Sequence, residues 1–215
     1  YNIDPSSIRA CITEKTKAIL VCNPGNPTGT QYSKESMLAL GEIARKHDLF
    51  LLSDEVYREF CYTDEPHFSA MNIPGLEQNV VLIDSVSKRY NLCGARIGCI
   101  VSHNKDVMAA AMKFAQARLC PPVIGQIASI GALDTPDEYF DAVKEEYIKR
   151  RDFMINGLNK IEGVFTPLPM GAFYTIAELP VDDTENFARW MLETFRIDNE
   201  TTMVTPAASF YKTPG

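Results

Sequence analysis

Three short apolar runs, each closed at once by a segment of different chemical character, constrain this chain more than any other feature. "AILVC" (18–22) runs into "NPGNPTG", "LFLLS" (49–53) into "DEVY", and "VVLID" (80–84) into "SVSK". Short apolar runs bounded by turn formers read as strands buried on both faces. "ARIGCIV" (95–101) reads as a fourth strand. Between the first two runs lies a helical pattern: Ser33 caps it, Glu35 sits in the first turn, and Met37, Leu40, Ile43 and Ala44 fall on one face. Strands alternating with helices predict an α/β fold, a mostly parallel sheet flanked by helices and covered on both faces. Ligands of such sheets bind beyond the carboxyl ends of the strands. The three closing segments are therefore expected along one rim.

The rest of the chain changes character. Residues 105–133 read as helix, broken at Pro121-Pro122. "TPDEYF" opens a long helix, with Thr135 as N-cap, Pro136 at the first helical position and Glu138 completing a capping box. Phe140, Val143, Tyr147, Met154, Leu158 and Ile161 form its expected buried stripe, and Gly163 its end. Beyond it, "GVFTPLPMGAFYTIAEL" alternates and is rich in Pro and Gly, as strands and a turn are. "TENFARWMLETF" reads as an amphipathic helix with Phe187, Met191 and Phe195 inward, and "TMVTPAASF" as a last strand. Two domains are expected: 1–145, part of a large domain, and 146–215, part of a smaller α+β domain.

Composition narrows the function classes. The chain of 215 residues is 46% hydrophobic and 23% charged, which is the balance of a globular protein. Its net charge is −7 without any basic block, which argues against nucleic acid or an anionic membrane as partner. No apolar run approaches the length of a membrane span. Cys11, Cys22, Cys61, Cys93, Cys99 and Cys120 form no C-x-x-C pair, and His47, His67 and His103 are scattered, so no metal site is expected. Cysteines in apolar runs read as small hydrophobes, and a reducing cytoplasm is the expected location. The opening "YNIDPSSIRA" lacks an initiator Met and any signal-peptide pattern, so we expect an internal piece of a longer protein.

The rim segments carry matched chemical needs. Lys88 can form an imine with an aldehyde if it loses its proton. Ser85, Ser87 and Arg96 suit a phosphate: two hydroxyls and a permanent, planar cation. Asp54 suits a protonated ring nitrogen, and Tyr57 and Asn26 can donate to a ring oxygen. Together these are the requirements of pyridoxal phosphate. Each residue also has a plainer reading. Asp54-Glu55 could simply open a helix, "NPGNPTG" could be turn chemistry alone, and Arg96 could pair with an acid. Ser87 could be a local cap, Tyr90, Cys93 and Cys99 packing residues, and Tyr174 small-domain core.

"NPGNPTG", "SDEVY", "SVSKRYNLCGARIG" and, further on, "MGAFY" occur in an order and spacing that resemble the class I/II aminotransferases of the fold type I pyridoxal-phosphate group, closest to aspartate aminotransferase-like members. The resemblance extends over nearly the whole chain. It implies Lys88 as the imine-forming lysine and proton shuttle, Asp54 as the partner of the ring nitrogen, and Asn26 and Tyr57 as partners of the ring oxygen. It implies Ser85, Ser87 and Arg96 as phosphate ligands, and a cis peptide at Asn26-Pro27. Amino acid and keto acid substrates and a full-length homodimer follow from the same resemblance. So does the expectation that part of the phosphate cup and the substrate-carboxylate arginine lie outside this chain, leaving the piece alone inactive. The same scaffold serves carbon–sulfur β-lyases, aminocyclopropane carboxylate synthases and cofactor-sensing regulatory domains, which remain alternatives.

Overall fold

The computed structural model describes residues 2–211. Strands β1 (Ala18–Cys22), β2 (Phe50–Asp54) and β3 (Val80–Ser85) pair in parallel, and β4 (Gly98–Val101) pairs antiparallel with β3, in the order β1-β2-β3-β4. Cys22 stands opposite Asp54, and Asp54 opposite Ile83. The ladder runs one step past each end. Asn23 N–H donates to the Asp54 carbonyl and Glu55 N–H to the Ile83 carbonyl, both at 3.0 Å. The parallel strands thus finish nearly level, and the sheet and helices match the expected fold class.

Helices α1 (Pro5–Cys11) and α2 (Lys34–Lys46) precede β1 and β2. Ser33 caps α2 by accepting from Ser36 N–H at 3.2 Å, as its sequence position predicts. Met37, Leu40 and Ala44 bury their side chains against Leu51 and Val80 of the sheet and against Ala70, Ile73 and Leu76 of the following loop. Each large side chain removed from water here contributes roughly 1.5–3 kcal/mol. Both faces are covered at β3, where Val80, Val81 and Leu82 are all buried, but not at the two edges of the sheet. Leu20 is 70% exposed and every residue of β4 is exposed. A continuous apolar run reports that both faces of a strand are apolar; it does not supply a layer to cover the second. β4 also starts later than the apolar run, because Cys93–Ala95 wind into a 3₁₀ turn and Arg96 takes φ +57°.

Helix α3 (Val86–Arg89) follows β3 without a loop, then α4 (Lys105–Arg118), α5 (Val123–Ala132), α6 (Asp137–Leu158) and α7 (Thr184–Glu193). The break between α4 and α5 falls at the proline pair, as expected. Thr135 does not cap α6; its hydroxyl donates backward to the Ala132 carbonyl at 2.7 Å. The predicted stripe is also corrected: Met154 and Ile161 are exposed, Ile155 is the buried residue of α6, and the helix stops at Leu158.

The chain forms two compact units, one of residues 1–153 with 168–175, the other of 154–167 with 176–215. In the first, the returning segment is stitched to two loops. Met170 and Gly171 N–H donate to the Gly29 carbonyl (2.8 and 2.9 Å), and Ala172 N–H donates to the Phe60 carbonyl (2.8 Å). In the second, Phe165 and Glu178 exchange backbone bonds (3.1 and 2.7 Å), and the Asn159 amide brackets Thr166. The strands expected in this stretch reduce, among the described residues, to two isolated bridges, Phe165–Glu178 and Cys61–Gly171, since Pro167 and Pro169 have no N–H to extend a ladder. "TMVTPAASF" likewise holds no strand: it is irregular up to a 3₁₀ turn at Ala208–Phe210. In α7, Ala188 is buried and Trp190 lies tilted against Phe187 and, just past the helix, Phe195, at 6.0 and 5.0 Å between centroids.

Close packing at Gly171 makes a prediction. A Cβ there would lie 2.7 Å from Pro24 Cβ and 2.9 Å from the Phe60 carbonyl oxygen, whereas one at Gly157 of α6 would meet nothing within 4 Å. Gly171→Ala is expected to lower stability by about 1–3 kcal/mol, and Gly157→Ala to raise it by about 0.5–1 kcal/mol. Urea unfolding midpoints of the two variants measure the contrast.

Candidate active site

The three rim segments each use the end of a strand differently. At β1, the chain turns through cis peptides at Asn23-Pro24 and Asn26-Pro27, the second of which the resemblance implies. Asn23 is fully buried and accepts from Tyr32 N–H at 2.9 Å, while Asn26 is exposed. At β2, Asp54 Oδ1 accepts from Val56 N–H at 3.2 Å, a tight Asx bond that opens a turn rather than a helix. At β3, Ser85 caps α3 by accepting from Ser87 N–H at 3.1 Å, and its hydroxyl donates to the Ile97 carbonyl at 2.9 Å. The Ser85 and Ser87 hydroxyls are 2.8 Å apart.

The neighbouring acids 54 and 55 are handled in opposite ways. Asp54 is half-buried and pairs with no cation among the described residues. Burial, followed by the negative charges of Asp84 and Glu55, pushes its carboxyl above the ordinary value, against the pull of the Val56 amide. Glu55 is fully buried. Burial alone would raise it, but hydrogen bonds from His67 (2.8 Å), Ala70 N–H (2.9 Å) and Ser69 (3.0 Å) outweigh that and hold it below its ordinary value. Sequence reasoning gave His67 no role; its spacing of twelve residues from Glu55 carries no signal, because a long loop brings the pair together.

Helix α3 aims Lys88 by holding its neighbour elsewhere. Arg89 is drawn to Asp84 (2.9 Å) and Glu59 (3.1 Å), and Arg58 adds a second bond to Asp84 (3.2 Å). Successive helical residues point about 100° apart, so Lys88 emerges on another side. Its Nζ lies 5.7 Å from the centre of the Tyr57 ring and 5.6 Å from that of Phe173. A cation over an aromatic face gains roughly 0.5–2 kcal/mol. Lys88 also lines a cavity of about 540 Å³ together with Ser87, Phe60, Phe173, Tyr147 and Arg150.

Tyr57 is nearly fully buried, edge-on to both Phe173 and Tyr174. Its hydroxyl is 2.7 Å from that of Tyr174. Burial, then this bond, drives the Tyr57 phenol well above its usual range. Phe173 and Tyr174 belong to the first unit and sit at the site, not in a small-domain core. The fragment "GAFY" was the available signal for them. The rim therefore joins Asp54, Tyr57 and Lys88 through one turn and one ring, and Ser85 with Ser87. Arg96 and Asn26 are exposed and bond to none of these; Arg96 donates to the Cys93 carbonyl at 2.8 Å and pairs with no acid among the described residues. Cys93 and Cys99 are exposed rather than packed, and among the six cysteines only Cys61 is buried. Among the described residues no cluster could hold a metal ion, and no helix is long and apolar enough to cross a membrane.

Glu55 supplies a pH prediction. Because its folded value is lowered, its contribution to stability is complete above its ordinary value of 4.5 and is lost as pH falls through the lower folded value. Glu55→Gln is expected to cost about 1.5–3 kcal/mol at neutral pH, a gap that closes as the solution is acidified. Denaturant midpoints from neutral pH down to acid measure it; a gap independent of pH contradicts the assignment.

Comparison with known proteins agrees with these features. Residues 1–212 match the family described as aminotransferase class I and II. The aspartate aminotransferase of Musicola paradisiaca is 31% identical over 99% of the chain and 52% of that relative. The solved aspartate aminotransferase of Thermus thermophilus with maleate superposes with a TM-score of 0.82 at 32% identity, over 89% of this chain and 50% of that one. An alanine aminotransferase of Pyrococcus furiosus gives 0.79 at 34%, over 88% and 50%. The chain spans about half the length of the relatives it matches. On the strength of the match along almost its whole length and of the motifs gathered at its strand ends, this chain belongs to the class I and II aminotransferases.

Proposed function

We propose that the full-length protein is a pyridoxal-phosphate-dependent aminotransferase, moving an amino group between an amino acid and a 2-keto acid, as a homodimer in the cytoplasm. The observation that carries this reading is the placement of the Lys88 amine over the Tyr57 ring, on the same rim as a carboxyl, Asp54, that has no cation partner among the described residues. The family supports it, as do relatives named for aspartate and alanine. One of them was solved with maleate, a dicarboxylate.

The side chains present fit this cofactor. Burial and two neighbouring acids make the Asp54 charge costly, and a ring N–H⁺ would relieve that cost. When bound, pyridoxal phosphate supplies an aldehyde for an amine and a ring that withdraws electrons from the substrate α-carbon. Asp54 would keep the ring nitrogen protonated. Tyr57 and Asn26 would donate to the ring oxygen. Ser87, on the cavity wall, and Arg96, with guanidinium donors to spare beyond its bond to Cys93, would hold the phosphate, joined by Ser85 with its hydroxyl turned from the Ile97 carbonyl to the ligand. Lys88 Nζ would anchor the aldehyde carbon in the resting enzyme. Displaced by substrate amine, it would take the α-proton as base and return it as acid. The aromatic walls of Phe60, Phe173 and Tyr147 would exclude water from that transfer.

In the full-length protein, Lys88→Ala is expected to abolish transamination, a loss of at least about 10²–10⁴-fold from acid–base catalysis alone. Asp54→Ala is expected to reduce turnover more than cofactor affinity. Steady-state rates with several amino donors, beside cofactor titrations, measure both; near-normal turnover of the Lys88 variant contradicts the proposal.

A further inference from the structure

We infer that Tyr174 is a positioning residue for Tyr57: its hydroxyl sets the direction in which the Tyr57 proton points and so tunes the charge on the oxygen of the bound ring. The inference rests on the reading of Tyr57 as the partner of that oxygen. Its ground is the contact between two phenols, 2.7 Å apart, one of them nearly fully buried.

A phenol has one proton to donate, so the pair has two arrangements. With Tyr57 donating to Tyr174, the Tyr57 proton is occupied and the hydroxyl presents only lone pairs to a ligand. With Tyr174 donating to Tyr57, the Tyr57 proton is released toward a third group. An anionic oxygen beside Tyr57 selects the second arrangement, because a charge-assisted bond is roughly twice as strong as a neutral one. The bond from Tyr174 then polarises Tyr57 and makes it a better donor.

Both hydroxyls are placed by structure independent of any ligand. Tyr57 lies in the turn opened by the Asp54 Asx bond, and its carbonyl accepts from Phe60 N–H at 2.8 Å. Tyr174 ends the segment fastened to Gly29 and Phe60 by backbone bonds, its ring perpendicular to Tyr57 at 5.5 Å and tilted on Phe173 at 5.0 Å. Substituting Phe keeps these ring contacts and removes only the hydroxyl.

The test is a pH titration of the visible absorbance of the cofactor-loaded, full-length protein, in Tyr57→Phe, Tyr174→Phe and the double variant. Loss of a donor to the ring oxygen weakens its anionic form, so Tyr57→Phe raises the midpoint. Tyr174→Phe raises it in the same direction by a smaller amount, roughly 0.5–1 pH unit, one hydrogen bond's worth. The double variant matches Tyr57→Phe alone, because Tyr174 acts only through Tyr57. If Tyr57→Phe shifts the midpoint and Tyr174→Phe does not, or if the two shifts add, the inference is overturned while the reading of the site stands. If Tyr57→Phe leaves the midpoint unmoved, or no visible band forms on loading, the reading itself fails and takes the inference with it.

Discussion

The level ending of three parallel strands is the constraint on which everything else in this structure depends. β2 bonds to both neighbours through its last residue and one step beyond, by way of Asn23 to Asp54 and Glu55 to Ile83. A parallel ladder admits no slip of one residue without turning every side chain to the opposite face. Met37, Leu40 and Ala44 of α2, packed on Leu51 and Val80, hold that register from below. As a result a carboxylate, a lysine-bearing helix and a proline-rich turn emerge at one edge, although they are thirty residues apart in the chain.

Two packing arrangements refine the edge into a site. One is the ion-paired group of Arg58, Glu59, Asp84 and Arg89, which fastens α3 to the turn after β2. The charges are only partly exposed and share partners, so they act together more than isolated surface pairs do. The other is the return of residues 168–175, which inserts Phe173 and Tyr174 beside Tyr57. Gly171 makes that return possible by admitting Pro24 and the Phe60 carbonyl at distances no Cβ would tolerate. The amine of Lys88 is therefore framed by aromatic rings from two separate stretches of chain.

What was legible in the sequence was local or periodic. Apolar runs located the parallel strands, the three-four pattern located α2 with its cap, and the proline pair located the break between α4 and α5. The strand-end motifs placed Asp54, Tyr57 and Lys88 on one rim because topology alone puts them there. What was not legible depends on contacts between distant segments. The exposure of Leu20 and of β4 at the sheet's edges is not encoded locally, because apolarity does not reveal what covers a strand. The alternation of "GVFTPLPMGAFYTIAEL" yields only isolated bridges because its prolines deny a ladder its donors, and "TMVTPAASF" is irregular up to its 3₁₀ turn. His67 meets Glu55 and Tyr174 meets Tyr57 through loops whose course no local pattern encodes.

The proposed chemistry depends on one amine, that of Lys88. Reduction of the pyridoxal-phosphate-loaded, full-length protein with borohydride, followed by peptide mapping by mass spectrometry, identifies the side chain joined to the cofactor. The added mass is expected on the peptide that carries Lys88 and on no other. A label on a different lysine, or none after loading and reduction, contradicts that chemistry.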